Sequence, residues 1–243
     1  MNPSLVGSEM CIRDSVGTIL AAERIGGKKL SKYLKKFGIG QPTGLEFPGE
    51  SHGSVPEHED WSATSFPTIS FGQGLSVNSV QVASVYSTIA NDGLRVEPSL
   101  VKRFIHADGT SEQPTAPQTT RVVSRDTAIQ MQVMLESVVG EGGTATNAKI
   151  PGYRVGGKTG TAQVIDVRLG GYSDEVVASF VGMAPADNPR LVVGVFISEP
   201  QNGRYGGELA APVFKKVSSY ALGALQIPPT GSKAPKLALT FGG

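Results

Sequence analysis

The run Gly156-Gly157-Lys158-Thr159-Gly160-Thr161-Ala162-Gln163 decides the reading of this chain. It fits two physical templates. Gly152, four residues, then Gly157-Lys158-Thr159 satisfies the phosphate-loop pattern G-x-x-x-x-G-K-[ST]. That loop must leave a buried strand and open a helix, so that backbone N–H groups and the helix dipole hold phosphate. The context contradicts it. Lys149-Ile150-Pro151 is no buried strand, and Gly160, Thr161, Val164 and Ile165 favour extended chain over a helical turn.

The second template is the Lys-Thr-Gly element of serine acyl-transfer enzymes, which needs an extended strand at the rim of a site. Lysine supplies a fixed positive charge, and two hydroxyls flanking a glycine can hold a carboxylate. A glycine without Cβ lets a substrate backbone approach the strand edge. Val155 to Ile165 reads as such a strand, followed by strands at Glu175 to Met183 and Leu191 to Glu199. Asp187-Asn188-Pro189 turns the last pair into an antiparallel hairpin.

Working outward, Ser124 caps a helix with Ala128, Met131, Leu135 and Val138 as its buried stripe. Glu208 to Leu225 reads as a closing helix with Leu209, Val213, Val217 and Tyr220 facing the core. Upstream, Val16 to Arg24, Lys28 to Phe37 and Asn78 to Asn91 read as helices. Val96 to Ile105 alternates like a strand, with Asp108-Gly109 as a turn. The lysines at 28, 29, 32, 35 and 36 read as a solvated helix face, and His52 and His58 as part of a polar loop without metal-ligand spacing.

Composition bounds the function. The chain has 243 residues with 22 Lys+Arg against 21 Asp+Glu, a net charge of +1, which leaves no electrostatic footprint for nucleic acid. One cysteine, Cys11, excludes a disulfide framework and a cysteine-rich zinc site. The longest apolar run, Leu191 to Ile197, has strand length, far short of a bilayer span. Residues 1–14 carry neither a helical nor a strand period and are read as a non-native prefix; 226–243 is Pro/Gly-rich and read as a loose tail.

Further segments frame the Lys-Thr-Gly run. Gly142-Gly143-Thr144-Ala145 precedes it, and Phe180-Val181-Gly182-Met183-Ala184-Pro185 follows. Upstream lie Gly40-Gln41-Pro42-Thr43-Gly44-Leu45-Glu46-Phe47-Pro48-Gly49-Glu50, then Phe71-Gly72-Gln73-Gly74-Leu75-Ser76-Val77-Asn78 leading into a helix that ends at Ala90-Asn91-Asp92-Gly93. Together these resemble the transpeptidase domain of class B penicillin-binding proteins, from about Val16 to Leu225. The resemblance implies an α/β fold of penicillin-binding and beta-lactamase type, an antiparallel sheet flanked by helices, with residues 15–225 as its C-terminal part. It implies serine-type peptidoglycan D,D-transpeptidase chemistry without a cofactor. Serine attacks a D-alanyl-D-alanine peptide, terminal D-alanine leaves, and the acyl group passes to an amine; beta-lactams stop at the acyl-enzyme. By the same resemblance Lys158 holds charge beside the nucleophile, Thr159 and Thr161 hold the carboxylate, Gly160 completes the element, and the Thr161 N–H is an oxyanion-hole donor. The implied ligands are peptidoglycan stem peptides and beta-lactams. The implied partners are cell-division or elongation membrane proteins, around a parent anchored in the cytoplasmic membrane with this domain outside.

The family's other two elements, a helical Ser-x-x-Lys and a loop Ser-x-Asn, have only decoys here. Ser99-Leu100-Val101-Lys102 follows Pro98 in a strand-like run, where residues three apart point to opposite faces. Ser76-Val77-Asn78 precedes it, the reverse of the family's order, and Asn78 reads as a helix cap. Ser15 stands where the family's Ser-x-Asn ends, so the native sequence is expected to be truncated there, leaving this chain inactive alone. Two rival readings are a non-catalytic binding or scaffold module of the same fold and a nucleotide-binding protein.

Overall fold

The computed structural model describes residues 15–166 and 171–234. The prefix with Cys11, and the tail beyond Ala234, lie outside the described residues. The chain divides into two compact units, Met1–Asn78 and Ser79–Gly243, a boundary inside the stretch read from sequence as one piece.

In the first unit a helix over residues 15–25 (α1) is separated from α2 (Gly27–Lys36) by Gly26, whose φ of 77° no helix accepts. Lys28, Lys29, Lys32 and Lys35 are exposed as expected, and Lys35 Nζ meets Glu57 Oε2 at 2.5 Å. A short helix α3 (Ser65–Ser70) follows. Ser54 and Ser76 exchange backbone hydrogen bonds. Glu50 ties this loop down, accepting from the Thr43 N–H at 3.1 Å and from Asn78 Nδ2 at 3.1 Å. The bonds from Thr43 and then Asn78 hold the Glu50 carboxyl below its usual range.

The second unit is built on an antiparallel sheet of β5 (Gly156–Asp166), β6 (Gly171–Ala184) and β7 (Leu191–Ser198), in the order β5-β6-β7. One face carries α6 (Gly206–Ala224); the other carries α4 (Ser79–Ala90) and α5 (Arg125–Val139). Between them the core includes Phe180 and Phe214, both fully buried, their rings edge-on at 4.8 Å. Burial and ring geometry both favour this contact, each phenylalanine contributing about 2 kcal/mol through removal from water.

The expected strand Val96 to Ile105 is two. β1 (Leu94–Val96) pairs with β4 (Thr119–Arg121), and β2 (Phe104–Ile105) with β3 (Ser111–Glu112). Pro98, lacking an N–H, cannot continue a ladder between them.

Both predicted helix stripes are rotated. On α5 the buried positions are Ala128, Gln132, Glu136 and Val139, while Met131 is exposed. Polar residues are buried there because each is satisfied: Gln132 Nε2 donates to the Ile89 carbonyl at 2.7 Å, and Glu136 accepts from Arg154. On α6 the inward side is Gly206, Gly207, Ala210, Ala211, Phe214, Ser218 and Leu222; Val213, Val217 and Tyr220 face outward. Small side chains let the helix axis sit close to the sheet, which larger aliphatics would prevent.

The tail expected to be loose is held as far as Ser232. Ile227 is buried in the core, and its carbonyl accepts from Tyr153 Oη at 2.6 Å. Asp187 Oδ2 accepts from Thr230 Oγ1 and Ser232 Oγ.

Candidate active site

Lys158-Thr159-Gly160-Thr161 lies on β5, in register with Val181, Phe180, Ser179 and Ala178 of β6. Strand context therefore replaces the helix that a phosphate loop needs, and Gly152 sits in a separate turn. β5 is an edge strand whose outer side pairs with no other strand among the described residues. An unpaired edge presents N–H and C=O groups to an extended ligand.

Alternation distributes the side chains. Gly157, Thr159 and Thr161 share the α6 face; a Cβ on Gly157 would stand 2.5 Å from the Phe180 ring. Gly156, Lys158 and Gly160 share the opposite face, where α5 covers Gly156 and leaves Lys158 exposed. Lys158 Nζ curls back over the edge to donate to the Thr159 carbonyl at 3.0 Å and to Thr159 Oγ1 at 3.4 Å. The ammonium and the Thr159 hydroxyl, which begin on opposite faces, thus meet at the rim.

Gly160 has a local duty as well. A Cβ there would come within 2.5 Å of Ser179 Oγ. The start of α6 is seated against the same strand pair. A Cβ on Gly206 would fall 1.9 Å from the Ser179 carbonyl oxygen, and one on Gly207 2.1 Å from the Thr144 carbonyl oxygen. Only glycines permit this approach. It brings the positive end of a 19-residue helix to the Thr159 side of β5. Thr144, quoted above only within a longer motif, contributes a hydroxyl 3.2 Å from Thr159 Oγ1. An ammonium, two hydroxyls and a helix N-terminus converge on one edge, an arrangement suited to a carboxylate.

The decoys are not brought here. Ser99 lies in the loop after β1, its Oγ bonded among the described residues only to the backbone of Val101, with Lys102 in the same irregular stretch. The strand expected there is absent, but so is the helical turn that would bring the lysine to the serine. Ser76 is engaged through its backbone with Ser54, and Asn78 Nδ2 donates to Glu50 and Ser51. No cluster able to hold a metal occurs among the described residues. No helix among them is long and apolar enough to cross a membrane. Thr144 and the Gly206-Gly207 pair are the site residues that sequence reasoning left without a role. A Gly-Gly pair directly before a hydroxyl residue or a helix was the available signal.

Comparison with known proteins bears on the family and the fold. The Penicillin binding protein transpeptidase domain family matches residues 13–219. Penicillin-binding protein PbpB of Mycolicibacterium smegmatis is 41% identical over 234 residues, covering 93% of this chain and 36% of that protein. The probable peptidoglycan D,D-transpeptidase PbpC of Pseudomonas aeruginosa is 39% identical over 217 residues, covering 88% of this chain and 36% of that protein. Penicillin-binding protein 3 of Mycobacterium tuberculosis, solved with ampicillin, superposes with a TM-score of 0.87 at 37% identity, over 94% of this chain and 52% of that one. The chain spans about a third of the length of the curated relatives it matches.

Proposed function

The chain belongs to the penicillin-binding protein transpeptidase family, and on that premise we propose that it forms the carboxylate-recognising wall of a peptidoglycan D,D-transpeptidase. The observation that carries this reading is the edge strand β5 with Lys158 and Thr159 joined at its rim. Lys158 holds a positive charge, Thr159 and Thr161 present hydroxyls on one face, and the Thr161 N–H supplies one oxyanion-hole donor. The substrates are D-alanyl-D-alanine stem peptides, and beta-lactams are their mimics. The working protein is membrane-anchored with this domain outside, among the membrane proteins of division or elongation.

The reaction balances as acyl transfer. A serine oxygen attacks the penultimate D-alanine carbonyl and gives its proton to a neighbouring base. The peptide C–N bond breaks, and terminal D-alanine leaves as the amine. A second strand's amine then takes the acyl group and restores the serine hydroxyl. The sequence contains one Ser-x-x-Lys, Ser99–Lys102, and its loop geometry does not pair the two side chains. On this reading Ser99 is not the nucleophile.

Lys158→Ala in the full-length gene product tests the assignment. Acylation by penicillin should fall by about a hundredfold or more, as for loss of a charged group acting on the reacting centre. Magnesium-ATP should bind neither form. Tight ATP binding that disappears with the substitution supports the nucleotide reading instead. Unaltered acylation supports the scaffold reading of this strand.

A further inference from the structure

We propose that Thr144 is a positioning residue for Thr159, setting the direction of its hydroxyl so that its single proton points at the substrate carboxylate. The inference rests on the transpeptidase reading above and deepens it.

The two hydroxyl oxygens are 3.2 Å apart. A threonine hydroxyl carries one donor and two acceptor lone pairs. Left to itself, the Thr159 hydroxyl can donate to Thr144 or to any nearby carbonyl. It binds a carboxylate only when its proton is free. Lys158 Nζ is a donor only and approaches Thr159 Oγ1 at 3.4 Å. If Thr144 also donates, both lone pairs of Thr159 are occupied and its proton has one direction left, outward over the strand edge. Donation into an oxygen also polarises its own O–H, strengthening the bond made to the anion.

Thr144 is held for this task from both sides. The Gly143 N–H donates to the Gly140 carbonyl at 3.2 Å, and the Ala145 N–H to the Val138 carbonyl at 2.9 Å. These bonds fold the loop against the end of α5. The approach is so close that a Cβ on Gly143 would stand 2.2 Å from the Val138 carbonyl oxygen. Ala145 and Ala148 are buried on the far side of the loop. Gly207 of α6 abuts the Thr144 carbonyl, and Asn147 Nδ2 donates to the Gly207 carbonyl at 3.1 Å. The hydroxyl of Thr144 thus projects from a backbone fixed to α5 and α6, while its side chain remains exposed. An exposed threonine on a rigidly built loop, touching the one hydroxyl that the lysine also touches, has no comparable packing role.

The test uses the full-length protein with Thr144→Val, which keeps the shape and removes the hydroxyl, and Thr144→Ser, which keeps the hydroxyl. Acylation rates are measured with benzylpenicillin and with its methyl ester, which lacks the anionic carboxylate. Thr144→Val should slow acylation by benzylpenicillin about tenfold, the worth of one hydrogen bond to a charged group. It should leave the slower ester reaction within twofold, and the melting temperature unchanged. Thr144→Ser should restore the benzylpenicillin rate. Equal slowing of both compounds, or of neither, overturns the positioning role. A wild-type protein that reacts with neither compound overturns the transpeptidase reading, and this inference with it.

Discussion

Arg154 grips Glu136 with two nitrogens, Nε to Oε2 at 2.8 Å and Nη2 to Oε1 at 2.5 Å. The contact joins the residue two places before β5 to the last turn of α5, and it is nearly dry: the side chains are 16% and 7% exposed. Bonding to Glu136 raises the Arg154 pKa above its ordinary value despite the desolvation. The pair ties α5 to the segment that leads into the strand carrying Lys158.

Breaking one half leaves an uncompensated buried charge. Arg154→Ala should lower stability by about 3 kcal/mol in denaturant unfolding. Replacing both, Arg154→Met with Glu136→Leu, should cost less than the single change, because the Glu136 charge is then not stranded and only Asp187, still bonded by Thr230 and Ser232, loses its arginine. A double variant as unstable as the single one contradicts this.

Asp187 faces the same arginine at 3.6 Å. Burial pushes its carboxyl up, but donors from Ser232 and Thr230, with the charge of Arg154, outweigh burial and hold it below the usual aspartate range. A depressed folded-state value means that stability is present above the unfolded value, about pH 3.9, and is lost as pH falls through the folded one. Melting temperatures of wild type and Asp187→Asn should differ by a constant amount above about pH 5 and converge below about pH 4. A gap that widens on acidification has the wrong sign.

Gly206 and Gly223 belong to one helix and provide an internal control. A Cβ on Gly206 meets the Ser179 carbonyl oxygen at 1.9 Å, whereas a Cβ on Gly223 meets nothing within 4 Å. Gly206→Ala should destabilise by about 2 kcal/mol or more, since backbone must move. Gly223→Ala should be neutral or stabilise by up to about 1 kcal/mol through helix propensity. Equal effects contradict the close docking of α6 on the strand pair.

Ile227 tests the held tail. It is 7% exposed, within the cluster of Phe180 and Phe214. Ile227→Ala should cost about 2–4 kcal/mol by thermal or denaturant unfolding. A change below about 0.5 kcal/mol, the range of a surface position, means the segment is not part of the core.

The three sheet strands were legible in the sequence because Gly/Pro turns bounded apolar, β-branched runs. β6 extends further back, to Gly171, than its apolar run indicated. The Lys-Thr-Gly run was legible because its neighbours argue for extended chain. The helix faces were misread because hydrophobicity alone does not register that Glu136 has Arg154, 18 residues away, or that Gly206 and Gly207 need a carbonyl beneath them. Those are tertiary facts. Thr144 escaped for the same reason, since its partner Thr159 is 15 residues on and belongs to another element.

The most direct measurement is covalent labelling by a fluorescent penicillin, read on a denaturing gel and mapped by mass spectrometry. It is run on the 243-residue chain and on the full-length gene product in parallel. The chain alone should take no label, because Lys158, Thr159 and Thr161, here proposed to hold a carboxylate, offer no activated serine. The full-length product should be labelled on a serine outside these residues that stands three places before a lysine. An adduct on Ser99 of the chain alone, or a full-length product that takes no label, would contradict the account.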